Sequence, residues 1–228
     1  MRFDTEKTVI KEDGLKIEYG LIHGNNRGCH RVVIIKAGAG GSYIGYEEKY
    51  LKIARRLRDT YGCTVLCLSN YASDSFVRGD VTVIRELLAG MGGEIQLYYV
   101  GNSNGSTQGL LTAAQYFDFR RMVLVNMPLM MNFHKIKEAL TRADTEIRFV
   151  YGEKDPSISY VPFLRNAGQK EGNLARAEIV TVKGADHNFA GMTDVFMELC
   201  AGVVGDRPVE TDVHKSSRAY YLKGGPLP

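Results

Sequence analysis

The chain has 228 residues, 44% hydrophobic and 24% charged, with 25 Gly, 6 Pro and no Trp; this is the mixture of an ordinary globular protein and excludes disordered, collagenous and coiled-coil classes. A formal net charge of +3, evenly spread, gives no footing to nucleic acid or an anionic membrane as a partner. At about 150 residues per domain the length admits one large domain or two small ones, and such a chain buries roughly 70–75% of its unfolded surface without disulfide or metal staples.

Cysteine use and targeting signals agree with a cytoplasmic home. Cys29, Cys63, Cys67 and Cys200 form no C-x-x-C pair and read as small core hydrophobes. The opening MRFDTEKTVIKEDG carries charges where a signal peptide needs an apolar stretch, and the closing GGPLP offers no prenylation cysteine. The longest apolar candidate for a membrane span, Met122 to Met131, is interrupted by Asn126 and Pro128 and falls short of about 18 residues. No membrane partner is expected.

Hydrophobic periodicity predicts strands and helices in alternation. Residues 16 to 22 (KIEYGLI) alternate as a half-exposed strand, and Val32 to Ile35 is a β-branched run suited to a strand covered on both faces. Glu47 to Tyr61 sets Tyr50, Leu51, Ala54, Leu57 and Tyr61 on one helical face, with Gly62 as the stop. Strands at Val65–Leu68, Ile95–Val100, Met122–Val125, Ile147–Tyr151 and Glu178–Val182 follow. Helices at Val81–Leu88, Ser106–Tyr116, Phe133–Ala143, Tyr160–Ala167 and Met192–Val203 separate and close them. Alternation with short links predicts a three-layer α/β/α sandwich around a mostly parallel sheet. With no linker rich in Pro, Gly or Ser, residues 1 to 204 read as a single domain. The tail from Gly205 to Pro228 holds three of the six prolines and dense charge. It reads as a surface wrap, with a place at a homo-oligomer interface as the alternative.

Open parallel sheets bind ligands at the carboxyl ends of their strands, so the loops there carry the chemistry. Gly101-Asn102-Ser103-Asn104-Gly105 fits G-x-S-x-G between a predicted strand and a predicted helix, where a sharp turn projects the serine hydroxyl outward. The strand at 147–151 runs into Gly152-Glu153-Lys154-Asp155-Pro156, and that at 178–182 into Lys183-Gly184-Ala185-Asp186-His187. A serine needs a base to take its proton, and the base needs a carboxylate to fix its tautomer. Ser103, Asp155 and His187 lie on three strand ends in the order nucleophile, acid, base.

These motifs make the sequence similar to the α/β-hydrolase family, from about residue 16 to residue 204, through GNSNG, FVYGEKDP and VKGADHNF. The resemblance implies an α/β-hydrolase fold with Ser103 as nucleophile, His187 as base and Asp155 as orienting acid. Ala37-Gly38-Ala39-Gly40-Gly41-Ser42 matches the family's oxyanion loop, so the Ala39 and Asn104 amides are the implied oxyanion donors. The family's usual histidine is replaced by Ala37, preceded by Lys36. The donor is a backbone group, so the exchange does not remove it and bears on the rigidity of the loop instead.

Other residues compete for these roles. Asp186 adjoins His187, and Asp144 precedes its strand at the wrong sheet edge. His23, His30, His134 and His214 read as surface or capping residues with no metal-ligand spacing. Asp80 and Arg78 read as a helix cap and its neighbour. A dinucleotide loop starting at Gly38 would need glycine where Tyr43 stands, and neither glycine loop ends in Gly-Lys-Ser/Thr.

About twenty residues between the strands at 122–125 and 147–151 leave no room for a helical cap. Met127 and Met130, with Leu129, Met131 and Phe133, either line an acyl pocket or pack a helix onto the sheet, and Tyr43 and Tyr46 border the same region. The expectation is a serine hydrolase that cleaves an ester, thioester or related acyl bond of a small molecule, without cofactor or metal. A peptidase or carbon–carbon bond hydrolase would use the same machinery, and a non-catalytic binding protein the same fold.

Overall fold

The computed structural model describes residues 2–10, 16–25, 29–71, 79–130, 133–142, 145–170, 177–205 and 221–223. Among these residues nine strands form one sheet: β1 (Thr5–Ile10), β2 (Lys16–Ile22), β3 (Cys29–Lys36), β4 (Thr64–Leu68), β5 (Glu94–Asn102), β6 (Phe119–Val125), β7 (Glu146–Gly152), β8 (Glu178–Val182) and β9 (Tyr221–Lys223). Their spatial order is β1-β2-β4-β3-β5-β6-β7-β8-β9. The ladders from β4 through β8 are parallel, while β1, β2 and β9 pair antiparallel at the two edges. Among the described residues six helices cover the sheet: α1 (Lys49–Tyr61), α2 (Gly79–Ala89), α3 (Asn104–Leu111), α4 (Phe133–Arg142), α5 (Val161–Lys170) and α6 (Thr193–Ala201).

The alternation of side chains along β3 creates the two faces. Val33 and Ile35 join α1 and α6 in one core cluster, through Ile53, Leu57, Phe196 and Leu199. Val32 and Ile34 face the other cluster, with Val83 and Ile84 of α2, Leu110 of α3, Ile136 and Leu140 of α4, and Leu164 of α5. Every residue from Val32 to Ile35 is at most 1% exposed, which is why this strand reads as a continuous apolar run. On α1 the apolar stripe faces the sheet, and Gly62 closes the helix in the left-handed region (φ 69°), donating its N–H to the carbonyls of Arg58 and Leu57.

Periodicity misses two strands. The charges of β1 (TEKTVI) suit an outermost strand that must not invite further pairing, and they hide its alternation. The three residues of β9 are too few to show a period, yet they pair with Val180 to Val182 of β8. These three residues of the tail are therefore an edge of the sheet, and residues 206–220 and 224–228, on which the expected surface wrap rests, lie outside the described residues. Helix α3 also ends earlier than its periodicity suggests, because Thr112 leaves the helical region (φ −129°, ψ −58°) and a 3-10 turn at Ala113–Gln115 follows. Between β6 and β7 the described residues form α4 and no further element. No helix of the described residues is long and apolar enough to cross a membrane.

Candidate active site

The turn from β5 into α3 is built by steric necessity. Ser103 sits between the two elements at φ 51°, ψ −121°, a conformation that costs a non-glycine residue about 1–3 kcal/mol and persists only where its surroundings impose it. A Cβ on Gly101 would lie 2.5 Å from the Cα of Ser106, and one on Gly105 would lie 2.5 Å from the carbonyl oxygens of Lys36 and Ala37. Both positions therefore require glycine. The Ser103 N–H donates to Val125 O at 2.8 Å, the Ser106 hydroxyl donates to the same carbonyl at 3.0 Å, and the Tyr99 hydroxyl donates to Gly105 O at 2.8 Å.

Three strand ends bring three side chains into line. His187 Nε2 lies 3.0 Å from Ser103 Oγ, and His187 Nδ1 lies 2.5 Å from Asp155 Oδ2. With the Nδ1–H donated to the carboxylate, Nε2 presents its lone pair to the serine hydroxyl; this tautomer follows from the partners. Asp155 is 1% exposed, and its other oxygen accepts the Ser157 N–H at 2.7 Å, capping the turn that Pro156 opens. One carboxylate thus fixes both its own loop and the imidazole. Asp186 does not meet the ring: its carboxylate accepts the N–H groups of Asn188 and Ala190, and those bonds hold it below the usual carboxylate range.

Asn126, at the end of β6, locks the two loops together, a role the sequence does not announce. It is fully buried at φ 46°, accepts the Gly152 N–H at 2.8 Å and donates to the carbonyls of His187 (2.9 Å) and Asp186 (3.3 Å). The only sequence signal is an asparagine directly after a strand, a residue type that tolerates the left-handed region.

The glycine loop after β3 lies against the elbow, since a Cβ on Gly38 would come within 3.2 Å of Ser103 Cβ. Within that loop the Gly41 N–H bonds Gly38 O and the Gly40 N–H bonds Asn70 O. Those amides are spent internally and cannot cradle a phosphate. Neither the Ala39 nor the Asn104 N–H donates to another described residue. Behind the loop, Lys36 is 1% exposed, donates to Ser69 O at 2.7 Å and is paired with the Asp80 carboxylate. Burial lowers the Lys36 pKa and raises that of Asp80, against their mutual attraction. Asp80 is thus a buried ion-pair partner in the first turn of α2, where the sequence reading had a cap; Arg78 lies outside the described residues.

The expected substrate-lining residues divide. Met130 is 66% exposed beyond β6. Met127 is fully buried, with its side chain in the core cluster and its carbonyl accepting the Tyr151 hydroxyl, so it packs the core and does not line an accessible pocket. Tyr43 packs its ring against Phe3 and donates its hydroxyl to Glu6 of β1 at 3.2 Å. His23 and His134 are exposed and His30 half-buried; Met131, Asp144 and His214 lie outside the described residues. Among the described residues no three His, Cys, Asp or Glu side chains gather as a metal site.

No family model matches the chain, and no curated protein matches its sequence. Solved structures do match. An alpha-beta serine hydrolase homologue from Coxiella burnetii superposes with a TM-score of 0.69 at 14% identity, over 90% of this chain and 99% of that one. The chain has the α/β-hydrolase fold. Two further structures share this hydrolase fold: Est1E from Butyrivibrio proteoclasticus (TM-score 0.66, 15% identity, 86% of this chain and 96% of that one) and a dienelactone hydrolase from Anabaena variabilis (0.60, 17%, 87% and 96%).

Proposed function

We propose that the protein is a serine hydrolase acting on an ester, thioester or related acyl bond of a small molecule. The observation that carries this reading is the unbroken hydrogen-bonded line Asp155–His187–Ser103 at an elbow whose serine is held in a strained, outward conformation. Each part has one task. His187 Nε2 takes the hydroxyl proton as Ser103 Oγ attacks the carbonyl carbon, and Asp155 stabilises the imidazolium that forms. The tetrahedral oxyanion is received by the Ala39 and Asn104 amides. His187 then protonates the leaving group, and an activated water releases the acyl group by the same steps in reverse.

The 40% exposure of the His187 side chain supports an open site that admits water and small substrates. Fold neighbours that include a serine hydrolase homologue and a dienelactone hydrolase support ester chemistry in particular. The cysteines are free thiols, which suits a reducing compartment and supports a cytoplasmic location. The machinery asks for no cofactor.

The test is labelling with a fluorophosphonate probe together with turnover of short p-nitrophenyl esters. Wild type labels at Ser103 and turns over, whereas Ser103→Ala does neither. An unlabelled, inactive wild type would favour a binding protein on the same fold, and peptide turnover without ester turnover would favour a peptidase.

A further inference from the structure

An oxyanion hole works only if its two N–H groups each lie about 2.7–3.1 Å from one and the same oxygen, so the separation of the donors matters to a few tenths of an ångström. Here the donors stand on different elements: Ala39 on the loop after β3, Asn104 on the first residue of α3. Ala37 contributes no polar side chain to hold the loop. A third element supplies the tie.

Asn70, just past the end of β4, is 1% exposed. Its N–H donates to Gly41 O at 2.8 Å and its carbonyl accepts the Gly40 N–H at 2.7 Å, so its backbone clamps the loop immediately beyond Ala39. Its side chain then spans from loop to helix. Nδ2 donates to Ala37 O at 3.0 Å and to Asn104 Oδ1 at 3.0 Å, using both amide hydrogens, while Oδ1 accepts from Gln108 Nε2 at 3.4 Å, one turn further along α3. The rigid amide plane therefore bonds both donor-bearing segments at once.

We infer that Asn70 is the positioning residue that sets the separation of the two oxyanion donors. The inference rests on the serine-hydrolase reading. Asn70 touches neither the substrate nor the triad: it acts through the Ala39 and Asn104 amides. Truncating it frees the loop from the helix and lets the donors drift apart, which weakens the transition state more than the ground-state complex.

The experiment compares Asn70→Ala, Asn104→Ala and the double variant with wild type on p-nitrophenyl acetate, each normalised to sites titrated by a fluorophosphonate. Each single variant loses about 10- to 100-fold in kcat per titrated site, less than or equal to the cost of deleting a donor, with KM within about threefold. The double variant loses no more than the worse single one, because the one side-chain bond that Asn104→Ala removes is already lost in Asn70→Ala. Affinity for a trifluoromethyl ketone, whose hemiketal oxyanion occupies the hole, falls by the same factor as kcat/KM. A merely structural role would lower the thermal midpoint and the titratable fraction and leave kcat per site and ketone affinity unchanged, and that result overturns the inference. If Asn70→Ala does not fold, Asn104→Ala tests the same bond from its other end, and an unchanged kcat there is equally decisive. A wild type that neither labels nor turns over overturns the hydrolase reading itself, and this inference with it.

Discussion

The side-chain amide of Asn126 donates to the main-chain carbonyl of His187 across 2.9 Å, while its oxygen accepts the N–H of Gly152 at 2.8 Å. The residue directly after β6, the strand between the serine and acid strands, thereby fixes the height of the histidine loop against that of the acid loop.

Replacing Asn126 by Gly keeps the left-handed backbone affordable and removes the bonds. Leaving buried backbone groups unpaired costs about 1–3 kcal/mol each, so the variant is less stable in urea titration and its kcat falls. Asn126→Ala is worse than Asn126→Gly by the added strain of φ 46°. Equal stability of wild type and Asn126→Gly would show that the bonds hold nothing.

Gly105→Ala tests the elbow. Its Cβ would sit 2.5 Å from two backbone oxygens that no rotamer change can move. The expected loss is about 1–3 kcal/mol or more in stability, with Ser103 displaced and fluorophosphonate labelling slowed. Labelling at the wild-type rate would contradict the packing described for Lys36 and Ala37.

The Lys36–Asp80 pair lies beneath the glycine loop, and both partners are almost fully buried. Asp80→Asn strands a buried ammonium and destabilises by about 3–5 kcal/mol, whereas the double replacement Lys36→Met with Asp80→Leu, which leaves no charge behind, costs much less or nothing. Chemical denaturation of the three proteins distinguishes these outcomes. Equal losses in the single and double variants would mean that shape, and not charge, is what the pair provides.

Burial pushes the thiols of Cys63 and Cys200 up to about 12. At pH 8 their thiolate fraction is therefore about one in ten thousand, and alkylation by iodoacetamide, followed by mass spectrometry, leaves both unmodified until denaturant is added. The same shifts have a sign for stability. Folded thiols keep protons that the unfolded chain releases above about 8.5, so their contribution is complete below that pH and declines as pH rises toward 12. Thermal midpoints taken from pH 8 to 10.5 should fall, and less steeply for Cys63→Ala with Cys200→Ala.

What could be read from the residues alone follows from how local each signal is. The glycines around Ser103, and the position of Asp155 and His187 just past β-branched runs, are short-range patterns, and these residues are the ones the sheet brings within hydrogen-bond distance. Asn70 and Asn126 have no pattern, because their importance lies in which carbonyls happen to face them after folding. Met127 and Tyr43 show another limit: proximity in sequence to a site loop does not say to which side of the backbone a side chain turns. Asp80 looks like a cap at the start of α2 because a buried lysine on another strand cannot be anticipated from a single helix start.

Ser103 and His187 are separated by 84 residues, and the strand order β5-β6-β7-β8 puts two other strands between those that carry them. The whole line exists only once the strands from β5 to β8 are all in place. Such non-local parallel pairing forms slowly. On refolding, regain of helical signal should therefore run ahead of regain of serine reactivity, which makes the reactive serine a reporter of the completed sheet.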